Sequence, residues 1–230
     1  MLISAVLLDL DGTLLDTIPD LADAANAMRA EFGMPPLAQT TIATYVGKGT
    51  ENLVARTLSV PAAETEPLRI DLAVGLRVFG EHYHRVNGRR ATLYPGVIQG
   101  LKAFKAMGLK MAVVTNKPTE FTLPLLAHCG LDGYFQAVVC GDTCEHKKPH
   151  PLPLLHACRL LDVTPGQALA VGDSINDALA ARAAHIKVLA VPYGYNEGRD
   201  VRTLEVDDIV TSIDEAASWA ADHQKKFQKP

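Results

Sequence analysis

Short aliphatic and β-branched runs recur along the chain, each ending in a polar loop and followed by an amphipathic stretch: 3–8, Lys110–Val114, Ala137–Val139, 168–171 and 187–191. This repetition predicts parallel strands joined by helices. Between Val114 and Val191 the spacing suits right-handed crossovers of one helix each. From Asp9 to Lys110 the interval is several times longer than one crossover needs, so a segment is inserted there. Within it Leu21, Ala25, Met28 and Phe32 keep helical spacing after Pro19, and Gly33, Pro35 and Pro36 supply a stop. Further helices are predicted over 40–46, over 50–58 with Thr50 as its cap, and over 64–85, before Tyr94-Pro95-Gly96 punctuates the return. The expected fold is α/β: a doubly wound parallel sheet formed by residues 1–17 and 92–230, with a small α-helical cap, 18–91, inserted after the first strand.

Composition narrows the classes. A chain of 230 residues can bury a full core as one large domain or as a core with a smaller companion. Its 48% hydrophobic and 21% charged residues exclude disordered, collagenous and disulfide-scaffold proteins. Lys+Arg 22 against Asp+Glu 26 gives a net charge of −4, with no basic field to hold a nucleic acid; Lys225, Lys226 and Lys229 read as a solvated end. The apolar run 2–8 is too short to span a bilayer and lacks a basic leader, so no membrane partner is expected and the cytoplasm is the expected compartment. Cys129, Cys140, Cys144 and Cys158 show no C-x-x-C spacing and read as reduced thiols.

In an open parallel sheet, ligands bind beyond the carboxyl ends of the strands, so the polar residues just after each apolar run form the candidate site. They are Asp9, Asp11, Gly12 and Thr13; Thr115, Asn116 and Lys117; Asp142 and then Lys148; and Gly172, Asp173, Ser174 and Asp177. Asp9 and Asp11 in one tight loop, with Asp173 nearby, repel one another unless a cation relieves them. Mg²⁺ takes such hard oxygen ligands together with a substrate phosphate, and it is the expected cofactor. A lone Asp after a strand would be an ordinary helix cap, but D-x-D-G-T together with G-D-S-x-x-D is a far more specific pattern. A carboxylate can attack phosphorus to give an aspartyl-phosphate while a neighbouring carboxyl protonates the leaving oxygen and later activates water. Asp9 fits the first role and Asp11 the second; Thr115 and Lys148 are expected on the oxygens of the transferring group, with Gly12, Thr13 and Asn116 as further substrate contacts. Lys147 competes with Lys148, which is preferred because Pro149 restrains its backbone.

These residues carry a family resemblance. D9-L-D-G-T-L-L-D16, V-V-T115-N, K148-P and V-G-D173-S-I-N-D177 resemble the four ordered motifs of the haloacid dehalogenase superfamily, whose core is Rossmann-like. Within it the chain is similar to the capped phosphatases, and most to the bacterial phosphoglycolate phosphatases, through Tyr94-Pro95-Gly96 and Tyr193-Gly194-Tyr195 as well. The resemblance implies Asp9 as nucleophile, Asp11 as acid and base that also gives Mg²⁺ its backbone carbonyl, and Asp173 as a further metal ligand. It implies that Asp177 orients a metal-bound water or Lys148 from the outer shell, and that Gly12 lets the chain pass close to the phosphate. The presence of Asp11 argues against halide displacement, which needs no leaving-group acid.

A closing cap favours small phosphate esters over macromolecules. The Gly47-Lys48-Gly49 turn opens a helix, so Lys48 and the backbone N–H groups there are candidates for a second anionic group, as in 2-phosphoglycolate; a plain turn with an exposed lysine is the alternative. The expected activity is Mg²⁺-dependent hydrolysis of a small phosphorylated metabolite, best 2-phosphoglycolate, by a monomer or homodimer. Rivals are an N-acetylmuramate 6-phosphate or other sugar-phosphate phosphatase, a β-phosphoglucomutase-like phosphohexomutase, and a non-catalytic phosphometabolite-binding regulator. His82 and His84, His146 and His150 read as surface groups, and Trp219 and Phe227 as docking or interface groups of the last helix.

Overall fold

The computed structural model describes residues 2–60 and 70–228, with side chains given as far as Lys226. In chain order the elements are β1 (Ala5–Leu8), β2 (Leu15–Asp16), α1 (Ile18–Glu31), α2 (Gln39–Ala43), α3 (Thr50–Ser59), α4 (Leu72–Val86), β3 (Thr92–Leu93) and α5 (Val97–Ala106). There follow β4 (Lys110–Val114), α6 (Thr119–His128), β5 (Ala137–Val139), α7 (Leu152–Leu160), β6 (Ala168–Gly172), α8 (Ile175–Ala183), β7 (Lys187–Ala190), β8 (Asp208–Ile209) and α9 (Ile213–Gln228).

Six strands form one parallel sheet in the order β5-β4-β1-β6-β7-β8. The chain winds outward from β1 through β4 to β5, then returns to β6 on the other side, so a switch point lies at the carboxyl end of β1. Register sets the neighbours there: Leu8 pairs with Val113 and with Val171, so the loops leaving β1, β4 and β6 open at one level. Strand alternation divides the core. Val6, Leu8, Met111, Val113, Leu169 and Val171 face α5, α6 and α9, whereas Ala5, Leu7, Ala112, Val114, Ala168 and Ala170 face α7 and α8. Burial on both faces explains why these strands read as continuous apolar runs rather than alternating ones.

The helices α1 to α4 gather around a separate cluster that includes Leu21, Met28, Ile42, Leu53, Val78 and Phe79. Arg29, fully buried among them, donates to the carbonyls of Pro35, Thr57 and Val60, so backbone turns that could not pair with one another are tied together by one guanidinium. The two chain crossings between this bundle and the sheet pair as a short antiparallel ribbon, Leu15 with Leu93 and Asp16 with Thr92. Buried Asp20 secures the return by accepting the backbone N–H groups of Gly88, Arg90 and Ala91.

Several local expectations shift. The first strand begins at Ala5 rather than at Ile3, and the helix expected over 40–46 closes at Ala43. Thr50 does not cap α3: Gly49, at φ 86°, is the capping position, and Thr50 is the first helical residue. The helix expected over 64–85 begins at Leu72, where the Asp71 side chain accepts from the Ala73 N–H; its expected start falls in 61–69, outside the described residues. The aromatic pair expected to dock the last helix is seen only at Trp219, whose indole N–H donates to Asp208; the Phe227 side chain is also outside the description. Among the described residues no helix is long and apolar enough to cross a membrane. All four cysteines are free thiols.

Candidate active site

At the carboxyl edge of β1, β4 and β6 the chain assembles a dense set of charges. Asp9 follows β1 and its N–H donates to the Val171 carbonyl on β6, which holds the two loops at one height. Lys148, from the loop after β5, is the pivot: its Nζ lies 2.9 Å from Asp9 Oδ1 and 2.6 Å from Asp177 Oδ1, and donates to the Val114 carbonyl at 2.7 Å. The other Asp177 oxygen accepts from the Ser174 N–H and hydroxyl, an arrangement set by the first turn of α8. Both oxygens of Asp177 are therefore engaged, and its effect is to aim Lys148. Lys147, by contrast, points outward and pairs with Glu51 of α3 at 3.1 Å.

Asp173 is held from two sides. Thr13 Oγ1 donates to Oδ1 at 3.0 Å and the Tyr195 N–H donates to Oδ2 at 2.7 Å. Gly12, at φ 88°, faces this carboxylate: a Cβ there would come within 2.5 Å of Asp173 Oδ2. The glycine thus makes room for the neighbouring acid as well as for a ligand.

Asp9, Asp173 and Asp177 each offer an oxygen within 4.8 Å of the others. Burial pushes the Asp9 carboxyl well above its usual range, against the pull of Lys148, and burial with the nearby Asp177 charge pushes Asp173 up to about 7. Three close carboxylates facing the single ammonium of Lys148 form a site with surplus negative charge. A hard, oxygen-seeking divalent cation fits that donor set, and Asp9 and Asp173 are the carboxylates that could hold it. Lys148 itself stays protonated, its titration raised by Asp177 and Asp9 in spite of burial.

Asp11 is oriented by other groups. Thr17 Oγ1 donates to its Oδ1 at 2.6 Å, and Lys117 Nζ donates to the same oxygen at 3.0 Å. Tyr195 reaches the same region: its hydroxyl donates to Asp16 and accepts the Thr17 N–H, so one residue touches both the Asp173 carboxylate and the entry to α1. Thr115, buried at the end of β4, accepts the Lys117 N–H through its hydroxyl.

Asp9, Asp11, Thr115, Asn116 and Lys117 form one wall of a pocket of about 460 Å³, part of it open to solvent, and Leu21, Val46, Gly47, Gly49, Thr50, Leu53, Phe79 and Tyr83 form the other. The structure therefore brings together Asp9, Asp11, Thr115, Lys148 and Asp173, with Gly12, Thr13 and Asp177 packed around them. Of the other expected substrate contacts, Asn116 lines the pocket with its side-chain amide engaged by backbone groups, and Lys48 does not line it. The Asn116 amide is fully used: it donates to the Gly47 and Lys148 carbonyls and accepts the Lys148 N–H, joining the sheet edge to the turn before α3. Lys48 is not on the pocket wall and pairs with Glu197 at 2.5 Å, its side chain 42% exposed. Asp142 is exposed and caps the start of α6 by accepting from Thr119. His146 and His150 lie against each other with their rings tilted by 39° in an exposed loop, while His82 and His84 pair with Glu31 and Glu120.

One pocket residue escapes a reading of the loops alone, and for another the loops give the position but not the role. Tyr83 of α4 is buried against Phe79 and Phe121 with its hydroxyl 2.6 Å from Lys117 Nζ. Its signal is the Gly75, Val78, Phe79, Tyr83 stripe, which marks the inner face of α4 between two outward histidines. Lys117 is among the loop candidates, but nothing local in the sequence indicates that its ammonium turns to Asp11.

Comparison with known proteins agrees with this arrangement. The family model for haloacid dehalogenase-like hydrolases matches residues 6–191. A phosphoglycolate phosphatase of Thiobacillus denitrificans is 49% identical over 215 residues, covering 94% of each chain. Among solved structures, a predicted phosphoglycolate phosphatase from Haemophilus somnus superposes with a TM-score of 0.89 at 33% identity, covering 94% of this chain and 97% of that one. CbbY from Rhodobacter sphaeroides, crystallised with phosphate, gives a TM-score of 0.78 at 26% identity over 93% and 96%.

Proposed function

The chain belongs to the haloacid dehalogenase-like hydrolases as a phosphoric monoester hydrolase, and we propose that it converts 2-phosphoglycolate to glycolate and phosphate with Mg²⁺, in the cytoplasm. The observation that carries this reading is the pocket in which Asp9 and Asp11 face a largely apolar cap wall. Such a wall suits a substrate with a short carbon skeleton better than one bearing many hydroxyls, because each unpaired hydroxyl would be desolvated at a cost. The names of the relatives point to the same ester.

In the proposed reaction an Asp9 oxygen attacks phosphorus from the side opposite the ester oxygen. The P–O ester bond breaks, the electron pair leaves with glycolate, and Asp11 gives that oxygen its proton. A water then loses a proton to Asp11 and attacks the aspartyl-phosphate, which returns Asp9 as a carboxylate and releases phosphate. Lys148, aimed by Asp177, and Thr115 stabilise the charge on the equatorial oxygens. Mg²⁺, held by Asp9, Asp173 and the Asp11 carbonyl, would neutralise the phosphate and the carboxylates that face it. The Thr17 contact keeps Asp11 turned toward the leaving oxygen.

The test is phosphate release, with and without Mg²⁺, from 2-phosphoglycolate, sugar phosphates, N-acetylmuramate 6-phosphate and mononucleotides, beside an Asp9→Asn control. 2-Phosphoglycolate is expected to lead by about tenfold or more in kcat/KM, with Asp9→Asn inactive. If another ester leads, the substrate assignment fails; if Asp9→Asn retains turnover, the nucleophile assignment fails.

A further inference from the structure

Among the described residues, Lys117 is the only basic side chain on the pocket wall. It is 6% exposed, and its ammonium lies 3.0 and 3.4 Å from the two Asp11 oxygens and 2.6 Å from the Tyr83 hydroxyl. The phenol ring packs beside it, with the ammonium 4.8 Å from the ring centroid. Chain folding has thus dried and fixed this cation before any ligand arrives.

The reaction chemistry defines what can stand beside it. Asp11 must reach the ester oxygen that leaves, so atoms on the carbon next to that oxygen lie within a few ångströms of Asp11. In 2-phosphoglycolate that carbon carries the carboxylate. We propose that Lys117 receives the substrate carboxylate and is a specificity-determining residue, with Tyr83 holding its ammonium in place. The assignment deepens the 2-phosphoglycolate reading and rests on it. It takes over the role that the sequence suggests for Lys48, whose ammonium is committed to Glu197 away from the pocket wall. A carboxylate seated there meets a cation in a poorly solvated setting, where attraction exceeds that of an exposed lysine. An ester with a neutral tail would leave Lys117 with Asp11 and Tyr83 alone and would forgo that contact.

The experiment compares 2-phosphoglycolate with 2-hydroxyethyl phosphate, which keeps the same leaving oxygen and replaces the carboxylate by an uncharged group. Both are assayed with the Mg²⁺-loaded enzyme in wild type, Lys117→Met and Tyr83→Phe. Wild type should prefer the acid; Lys117→Met should cut that preference about 30-fold, mostly through KM for the acid, while Tyr83→Phe cuts it about threefold. Inhibition by glycolate should weaken in parallel. Equal losses on both esters would show that Lys117 acts through Asp11 alone and overturn the assignment while leaving the substrate reading intact. A wild type without preference for the acid would remove the substrate reading and this assignment together. Should Lys117→Met not fold, Tyr83→Phe decides: an unchanged preference overturns the proposal.

Discussion

The packing around Asp173 allows Gly12→Ala to be worked through in numbers. An alanine Cβ at position 12 would sit 2.5 Å from Asp173 Oδ2, 2.8 Å from its Cγ and 3.1 Å from its Oδ1. Asp173 cannot retreat, because a Cβ on Gly194 behind it would already lie 2.2 Å from its own Cβ, so the carboxylate is gripped between two glycines. The φ of 88° costs an alanine about 1–2 kcal/mol. Pushing the carboxylate off either the Thr13 hydroxyl or the Tyr195 N–H forfeits one hydrogen bond to a charged group, about 1.5–3 kcal/mol. Loss of glycine freedom in the unfolded chain returns about 0.4–1 kcal/mol. The balance is a destabilisation of about 3 kcal/mol, read as a fall in urea midpoint at constant slope. Gly108→Ala isolates the backbone part: Gly108 has a φ of 72° with nothing within 4 Å, so only backbone strain applies and about 1 kcal/mol is expected. Calorimetric titration should also show Mg²⁺ affinity reduced about tenfold or more in Gly12→Ala and unchanged in Gly108→Ala. Equal stability losses in the two variants, with Mg²⁺ affinity intact in both, would refute the account of Gly12 as the space reserved for Asp173.

Lys148→Met removes the ammonium that faces Asp9 and Asp177 with its side chain only 3% exposed, and should cost about 3 kcal/mol at neutral pH without divalent ion, part of it recovered on adding Mg²⁺; a loss below about 1 kcal/mol in urea unfolding would show that the three carboxylates do not depend on it. The carboxylates also set a pH dependence: Asp9 and Asp173 hold protons to higher pH when folded than when unfolded, so the folded chain binds more protons between roughly pH 4 and pH 7, and metal-free stability should fall as pH rises through that window. The raised Lys148 titration lies far above this window and leaves the sign unchanged. Mg²⁺ should flatten the slope, and a metal-free protein whose thermal midpoint rises steadily from pH 5 to 7.5 would contradict the burial of these acids.

How much of this is legible beforehand depends on what each residue needs. The meeting of Asp9, Thr115 and Asp173 follows from topology: strands wound outward from β1 must open their loops at one edge, and each motif occupies the first residues of such a loop. Lys148 is readable for a similar reason, since its backbone enters by the loop after β5, and its selection over Lys147 needs only that one side chain turns inward. The short ribbon of Leu15–Asp16 with Thr92–Leu93 has no such signal, for two residues carry no periodicity. The start of α3 is misread for a related reason, because Thr50 resembles a cap while Gly49 already supplies the backbone turn.

Assigning a cation is harder than assigning a carboxylate motif, because a lysine's role is decided by its counter-ion and its counter-ion comes from elsewhere in the chain. Lys48 sits in a glycine turn that looks made for an anion, yet Glu197 from the loop after β7 takes its charge. Lys117 looks like one of many loop lysines, yet its partners are Asp11 from the first loop and Tyr83 from the inserted helices. Neither pairing has a sequence spacing, since each depends on how the inserted bundle lies against the sheet edge. Tyr83, whose hydroxyl reaches Lys117, packs edge-on against Phe121 of α6, which is itself buried among the bundle's apolar residues. Both contacts lie where the helices meet the sheet edge, so the buried ammonium on the pocket wall is positioned by the packing between bundle and sheet.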